Sequence, residues 1–137
     1  MSRFVRPETR TLTLANGDRL IVKTQLSYGE QQAAFARMYL PSSNGHMRVN
    51  PLLTGLGTIV AYLVDWTVTD DSGQIVPLRG LDAEEVTGVI NSLDPESVAE
   101  ILAAIQAHES AMAEARREKK VTTPIAPTSE ATSISAS

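Results

Sequence analysis

The sequence predicts an α+β fold, in which two β-hairpins form a small antiparallel sheet packed with an N-terminal helix and two C-terminal helices. Three observations lead to this prediction. Polar and apolar residues alternate on both sides of an Asn-Gly pair, three helix starts carry capping residues, and apolar residues recur at helical intervals in the last third. The last helix is expected to be long and projecting, with a disordered tail behind it.

The first hairpin is centred on Asn16-Gly17. Residues Thr11–Ala15 and Asp18–Lys23 alternate in polarity on either side of this dipeptide. Asn-Gly readily adopts the positive φ angles of a two-residue type I′ turn. We therefore expect two antiparallel strands joined by that turn.

The first helix is predicted to run from about Tyr28 to Leu40. Ser27 stands three residues before Glu30, which is the spacing of a capping box. Proline ends the run, because it cannot continue the hydrogen bonding of a helix. The segment Pro41–Pro51 has two flanking prolines around serine, asparagine and glycine, and it is predicted to be a mobile loop.

The middle of the chain contains an ambiguous segment and a strand. Leu52–Ala61 fits a helix or a strand, because Gly55 and Gly57 weaken both interpretations. From there to Asp70 the pattern has a period of two, with Tyr62, Val64, Trp66 and Val68 on one face, which predicts a strand.

A second hairpin is predicted at Asp70–Gly73. This Asp-Asp-Ser-Gly segment is typical of a turn, and Gln74–Leu78 is expected to return as a short strand. Pro77 restricts that strand to the edge of the sheet. An exposed edge of this kind is a place where an extended partner can add a strand.

Two capped helices are predicted in the last third. Asp82 and Glu85 have capping-box spacing, and Asp94 caps a second helix that begins with proline. If this helix continues to Lys119 it is about 37 Å long, so its C-terminal half should project. Residues 1–120 are therefore expected to form one domain, and residues 121–137, rich in Ser, Thr, Pro and Ala, a disordered tail.

Composition limits the core and the partners. Aromatic residues make up only 4% of the 137 residues, so the core should be aliphatic with a few large anchors, namely Trp66, Tyr62, Phe35 and Tyr39. The net charge is −4, and the basic residues Arg116, Arg117, Lys119 and Lys120 cluster where a helix C-terminus favours cations. We therefore expect no nucleic-acid partner.

The sequence predicts a soluble protein that is not exported and has no membrane partner. It contains no cysteine, which suits a reducing compartment. Its N-terminus lacks the apolar core of a signal peptide, and its longest apolar stretch, Ile59–Val64, is too short to span a bilayer.

Residues with catalytic potential do not form a recognisable catalytic motif. Neither His46 nor His108 has a second ligand at a zinc-like spacing. Asp70–Gly73 lacks the further oxygen ligands of a calcium loop, and Gly55-Leu-Gly57 is a weak match to a phosphate cradle. We predict a non-catalytic protein with no cofactor and no metal.

An interaction surface is the remaining candidate for function. The apolar stripe of the last helix is expected to serve the core in its N-terminal half and a partner near its projecting end, Met112–Lys120. The residues predicted to bind a partner are Leu102, Ile105, Met112, Trp66 and Tyr62.

The order of these elements resembles that of the tail assembly chaperones of long-tailed bacteriophages. The resemblance covers Thr11–Lys120 and is carried by a W-x-x-x-D-x-x-G pattern at Trp66, Asp70 and Gly73, and by Leu93-Asp-Pro-Glu at a helix start. It implies a small, non-catalytic protein of the host cell cytoplasm that is absent from the mature virion. Such a protein binds and solubilises the tape measure protein and helps to recruit tail tube protein.

The resemblance also implies that a longer product is made by frameshifting in many such phages, and Lys119-Lys120 is compatible with a slippery codon run. The sequence leaves two points open. Self-association of the chain is one. The other is an alternative role as a small structural virion protein, such as a tail completion or connector component, with a tail that orders on assembly.

Overall fold

The computed structural model describes residues 3–41, 47–49 and 51–122, with side chains for residues 3–38 and 54–119. In chain order the elements are β1 (Thr9–Thr13), β2 (Arg19–Lys23), α1 (Tyr28–Met38), β3 (Tyr39–Pro41), β4 (Met47–Val49), α2 (Pro51–Tyr62), β5 (Leu63–Trp66), α3 (Ala83–Asn91) and α4 (Pro95–Thr122). An antiparallel sheet has the order β1-β2-β5, and β3 pairs separately with β4. The predicted α+β class is confirmed.

The first hairpin is confirmed, but its turn is one residue longer than predicted. Leu14 N donates to Asp18 O at 2.7 Å, and Gly17 N donates to Leu14 O at 3.0 Å. In a type I′ turn the Asp18 N–H would pair with the Ala15 carbonyl, whereas here it donates to Asn16 Oδ1 at 3.0 Å. Gly17, with φ of +95°, then returns the chain into β2.

The strand predicted from Tyr62 is shorter than expected and does not alternate strictly. Tyr62 closes α2, and β5 pairs with β2 through a register shift next to Val64. This bulge places both Leu63 and Trp66 in the core, although they are three residues apart. The predicted single face of Tyr62, Val64 and Trp66 was therefore wrong in its detail.

The second hairpin is present in a reduced form. Gln74–Leu78 makes an isolated bridge between Thr69 and Ile75 rather than a full strand. Its turn is held by Asp70, whose Oδ1 accepts hydrogen bonds from the backbone N–H groups of Ser72 at 2.9 Å and Gln74 at 3.1 Å. The Ser72 hydroxyl also donates to Asp70 Oδ1, at 2.6 Å. This bond first, and then the backbone bonds, hold the pKa of the Asp70 carboxyl below its usual value.

Helix α1 begins as predicted and ends early. Ser27 N donates to Glu30 Oε1, and Glu30 N donates to Ser27 Oγ, which confirms the capping box. The helix ends at Met38 because the next three residues pair with β4. Of the loop predicted at Pro41–Pro51, residues 42–46 and 50 lie outside the described residues, and the rest is not loop, because Pro41 ends β3, Met47–Val49 form β4 and Pro51 begins α2. Residues 123–137 of the predicted tail also lie outside the described residues, whereas residues 121 and 122 continue α4.

The ambiguous segment in the middle of the chain is a helix, α2. Its two glycines are explained by the helices that pack against it. Gly55 and Gly57 are two residues apart, so they lie on nearly opposite faces of the helix. A Cβ on Gly57 would lie 3.2 Å from the Ala34 carbonyl oxygen of α1, and one on Gly55 would lie 2.7 Å from Leu102 Cδ2 of α4. The glycines that weaken the helix prediction therefore let α1 and α4 pack closely against α2.

The two C-terminal helices have the predicted caps. Asp82 and Glu85 form a complete capping box at α3, and Asp94 accepts from the Ser97 N–H at the start of α4. With 28 residues α4 is about 42 Å long. Its side chains from Glu114 to Lys119 are all exposed, which agrees with the predicted projection.

The glycine contacts predict opposite effects of the same substitution in two helices. Gly57→Ala should lower the free energy of unfolding by about 1 kcal/mol or more, because the Ala34 backbone cannot easily move away from the new methyl group. Gly88→Ala in α3 should raise it by about 0.5–1 kcal/mol, because a Cβ there meets nothing within 4 Å and alanine favours helix. Denaturant unfolding of both variants measures the difference, and equal stabilisation would contradict the close packing of α1 on α2.

Candidate partner-binding site

An open groove of about 260 Å³ lies where α1, α2 and α4 meet. Its walls are largely apolar, and its one carboxylate comes from α4. The main lining residues are Ala34, Phe35 and Met38 of α1, Ala61 and Tyr62 of α2, and Glu109 of α4. We refer to this feature as the α1–α4 groove.

Two exposed aromatic side chains lie along the outer side of α1. Phe35 stands at the groove and is 58% exposed, and Tyr28 is 75% exposed. Because they are seven residues apart, they lie on the same side of the helix, about 10 Å from each other along its axis. We call this pair the aromatic strip.

The exposure of Phe35 corrects the prediction that it anchors the core. Ala34, one residue earlier, is the residue that α1 buries, because it faces the gap left by Gly57. One residue of helix turns the chain by about 100°, so Phe35 is carried away from α2. Tyr39, the other predicted anchor, has a side chain outside the described set.

Tyr62 and Glu109 form a polar contact at the floor of the groove. The Tyr62 hydroxyl donates to Glu109 Oε2 at 3.1 Å. Burial of the phenol, and next the negative charge of Glu109, raise the pKa of Tyr62 to about 12. Tyr62 is therefore a neutral hydrogen-bond donor at physiological pH and joins the C-terminal end of α2 to α4.

His108 fixes α4 on the sheet beside this contact. It is 5% exposed, its Nε2 lies 2.8 Å from the Lys23 carbonyl oxygen, and its ring meets the Tyr62 ring edge-to-face at 6.1 Å. Because a carbonyl only accepts hydrogen bonds, Nε2 carries the proton in this contact. His108 is thus a packing residue. His46 lies outside the described residues.

Three of the five residues predicted to bind a partner lie in the core. Ile105 has no exposed surface, Trp66 is 3% exposed, and the Trp66 indole donates to Val76 O at 2.6 Å. Tyr62 is 6% exposed and reaches only the floor of the groove. A side chain with almost no accessible area cannot contact a partner while the fold is intact. Ile105 and Trp66 therefore cannot belong to a partner-binding surface.

The remaining two predicted residues lie on α4 at the margin of the core. Leu102 is half-buried and its Cδ2 occupies the space beside Gly55. Met112 is half-buried one turn beyond His108, where the helix begins to project. Met112 is therefore the predicted residue best placed to extend an interaction surface from the groove along α4.

The aromatic strip was not predicted from the sequence. Tyr28 and Phe35 share one side of a helix that already has Ala34 and Met38 for packing, and this spacing is visible in the sequence. What the sequence does not reveal is that a glycine on another helix decides which side of α1 is covered.

Comparisons with protein-family models, with curated proteins and with solved structures find no match to this chain. Within residues 3–41, 47–49 and 51–122, no group of three or more His, Asp or Glu side chains could hold a metal ion. In the same part of the chain, no helix combines the length and the apolar character needed to cross a bilayer.

The raised pKa of Tyr62 predicts a loss of stability at alkaline pH. Above about pH 10 an unfolded tyrosine loses its proton, while folded Tyr62 keeps it until about pH 12. The folded state then binds more protons, so stability falls as pH rises through this range. Unfolding measured at about pH 9 and about pH 11 should show a smaller decrease in Tyr62→Phe than in the wild type. An equal decrease in both would argue against the Tyr62–Glu109 contact.

Among the residues predicted to bind a partner, the buried ones should contribute more to stability than the half-buried ones. Ile105→Ala should lower the free energy of unfolding by about 3 kcal/mol, because it opens a cavity in a fully buried site. Met112→Ala should lower it by about 1 kcal/mol at most, because Met112 is only half-buried. Chemical denaturation tests this ranking, and similar losses would place Met112 in the core.

Proposed function

We propose that this protein is a non-catalytic tail assembly chaperone of a long-tailed bacteriophage. In this role it binds and solubilises the tape measure protein in the host cell cytoplasm and helps to recruit tail tube subunits. The observation that supports the proposal most directly is the exposed aromatic strip beside the α1–α4 groove. The described part of the domain leaves these two large aromatic side chains largely exposed to water on one helix.

The groove suits a partner that presents an apolar helix face. An amphipathic helix binds through side chains spaced three, four and seven residues apart, and these fit a groove between helices. Here Phe35 at the groove and Tyr28 along the same side of α1 supply aromatic contacts, and half-buried Met112 lies about one helical turn beyond Glu109 on α4. By the resemblance described above, a tape measure protein exposes long apolar helix faces of this kind before the tail tube encloses it.

The charges of the chain favour a soluble complex. The net charge of −4 produces repulsion between many copies bound along one long partner. The projecting end of α4 adds exposed charges of both signs, including the Glu114–Arg117 ion pair. A partner covered in this way presents charged surface to water in place of its own apolar faces.

The size of the surface favours reversible binding. Most of the energy of an interface comes from a few anchoring side chains, and the groove offers only a small number of them. A chaperone of this class must leave the tape measure protein when tail tube subunits assemble around it. An interface with only a few anchoring side chains is weak enough to allow that exchange.

The chemistry of the groove favours binding over catalysis. Its titratable side chains are Tyr62 and Glu109, and they are hydrogen-bonded to each other. The pKa of Tyr62 lies about 12, far from the range in which a general acid or base acts efficiently at neutral pH. A neutral phenol that holds two helices together is a structural contact.

The proposal predicts that the aromatic strip is needed for chaperone activity and dispensable for folding. Phe35→Ser and Tyr28→Ser should each reduce binding to a co-expressed tape measure fragment by about tenfold or more, because each removes an exposed aromatic anchor. Ile75→Ser is the matched control, since Ile75 is 54% exposed but lies on the second hairpin. The soluble fraction of the fragment is the measurement. Loss of solubility with Ile75→Ser alone would move the site to that hairpin.

A separate measurement distinguishes a chaperone from the structural alternative. Quantitative mass spectrometry of purified virions should find the protein absent, because an assembly chaperone leaves before the particle is complete. Detection at a fixed copy number per virion would favour the tail completion or connector component instead.

A further inference from the structure

Strand β1 has an unpaired outer edge within the described part of the chain. β1 lies at one side of the sheet order β1-β2-β5, and among the described strands only β2 pairs with it. The pairs Leu14 with Asp18 and Glu8 with Thr24 carry hydrogen bonds between the strands. Because hydrogen-bonded residues alternate along an antiparallel strand, the backbone N–H and C=O groups of Thr9, Thr11 and Thr13 point away from β2.

This edge carries little of the usual protection against strand pairing. Proline, charged side chains and bulges within an edge strand normally hinder it from pairing with another chain, and of these β1 has one charged residue, Arg10. β1 has the sequence TRTLT, and its register with β2 is regular. Its three threonines are exposed, so their side chains add no cover to the edge.

The ends of the free edge are symmetrical about Thr11. On one side the next outward position is Pro7, which has no N–H to donate. On the other side it is Ala15, where the chain enters the turn. Pro7 and Ala15 are both four residues from Thr11, so a two-fold axis through Thr11 brings each blocked end opposite the other.

We propose that a second copy of this chain pairs with the β1 edge in an antiparallel, two-fold symmetric register centred on Thr11. Thr11 then faces Thr11 of the second copy, and Thr9 faces Thr13. Each of these pairs exchanges two backbone hydrogen bonds, and paired threonines are favourable across strands. The result is one continuous antiparallel sheet through both copies.

A second copy fits this edge better than an unrelated extended peptide for two reasons. The threonines map onto one another under the two-fold axis, so the same sequence satisfies both sides of the pairing. The register also avoids like charges directly opposite one another, because Arg10 lies opposite Leu12 of the second copy. The surface shares no residue with the aromatic strip, so this proposal is independent of the proposed function.

Charge substitutions at Thr11 test the register directly. Thr11→Lys and Thr11→Glu each place like charges opposite one another across the axis, so each variant alone should dimerise at least about tenfold more weakly than the wild type. An equimolar mixture of the two variants places Lys opposite Glu and should recover dimer. Sedimentation velocity of the full chain is the measurement, and Thr69→Lys on the second hairpin is the matched control.

Disulfide crosslinking of a cysteine variant provides a second test of the register. Because the chain has no cysteine, Thr11→Cys introduces a single thiol, and oxidation should link two copies covalently while Thr69→Cys remains uncrosslinked. The Cα atoms of a hydrogen-bonded pair lie about 5.5 Å apart, within the range of a disulfide. Circular dichroism confirms that each variant is folded.

Two results would overturn the proposal. One is a wild-type chain that stays monomeric up to about 1 mM. The other is a pair of charged Thr11 variants that dimerise as tightly alone as the wild type does. Neither result would bear on binding of the tape measure fragment, which the Phe35 and Tyr28 variants test separately.

Discussion

The close approach of α1 and α4 to opposite faces of α2 is the constraint on which the rest of the structure depends. Gly57 admits the backbone of α1 at Ala34, and Gly55 admits the side chain of Leu102 from α4. Glycine costs helix stability, and here the cost is offset by helix packing at both faces. Once α1 is seated in this way, Phe35 has no position in the core. The exposed aromatic surface is therefore a consequence of how the helices pack.

Local patterns in the sequence predicted most elements but not their packing. The caps at Ser27, Asp82 and Asp94 and the first hairpin were predictable, because a cap or a turn depends on residues a few positions apart. The bulge beside Val64 was not, because it arises from pairing with a strand about forty residues earlier. Periodicity alone therefore assigned too long a strand with too regular a face.

The candidate site was predictable only in part, for a related reason. The amphipathic stripe of α4 was visible, and so was the division between a core half and a projecting half. Which apolar residues remain accessible depends on the neighbouring helices. Ile105 was assigned to a surface and is fully buried, whereas Phe35 was assigned to the core and is exposed. Hydrophobicity identifies residues that need a partner, and only the tertiary structure decides whether the chain itself provides one.

The anchoring of α4 at His108 and Glu109 leaves its last turns as a projecting arm. These two residues join the helix to the domain through hydrogen bonds with Lys23 and Tyr62, and the side chains from Glu114 to Lys119 are exposed. Thr122 is then about 20 Å farther along the helix axis. A polypeptide joined at that point is held at a fixed distance from the groove, so changes in its length or sequence leave the geometry of the head intact.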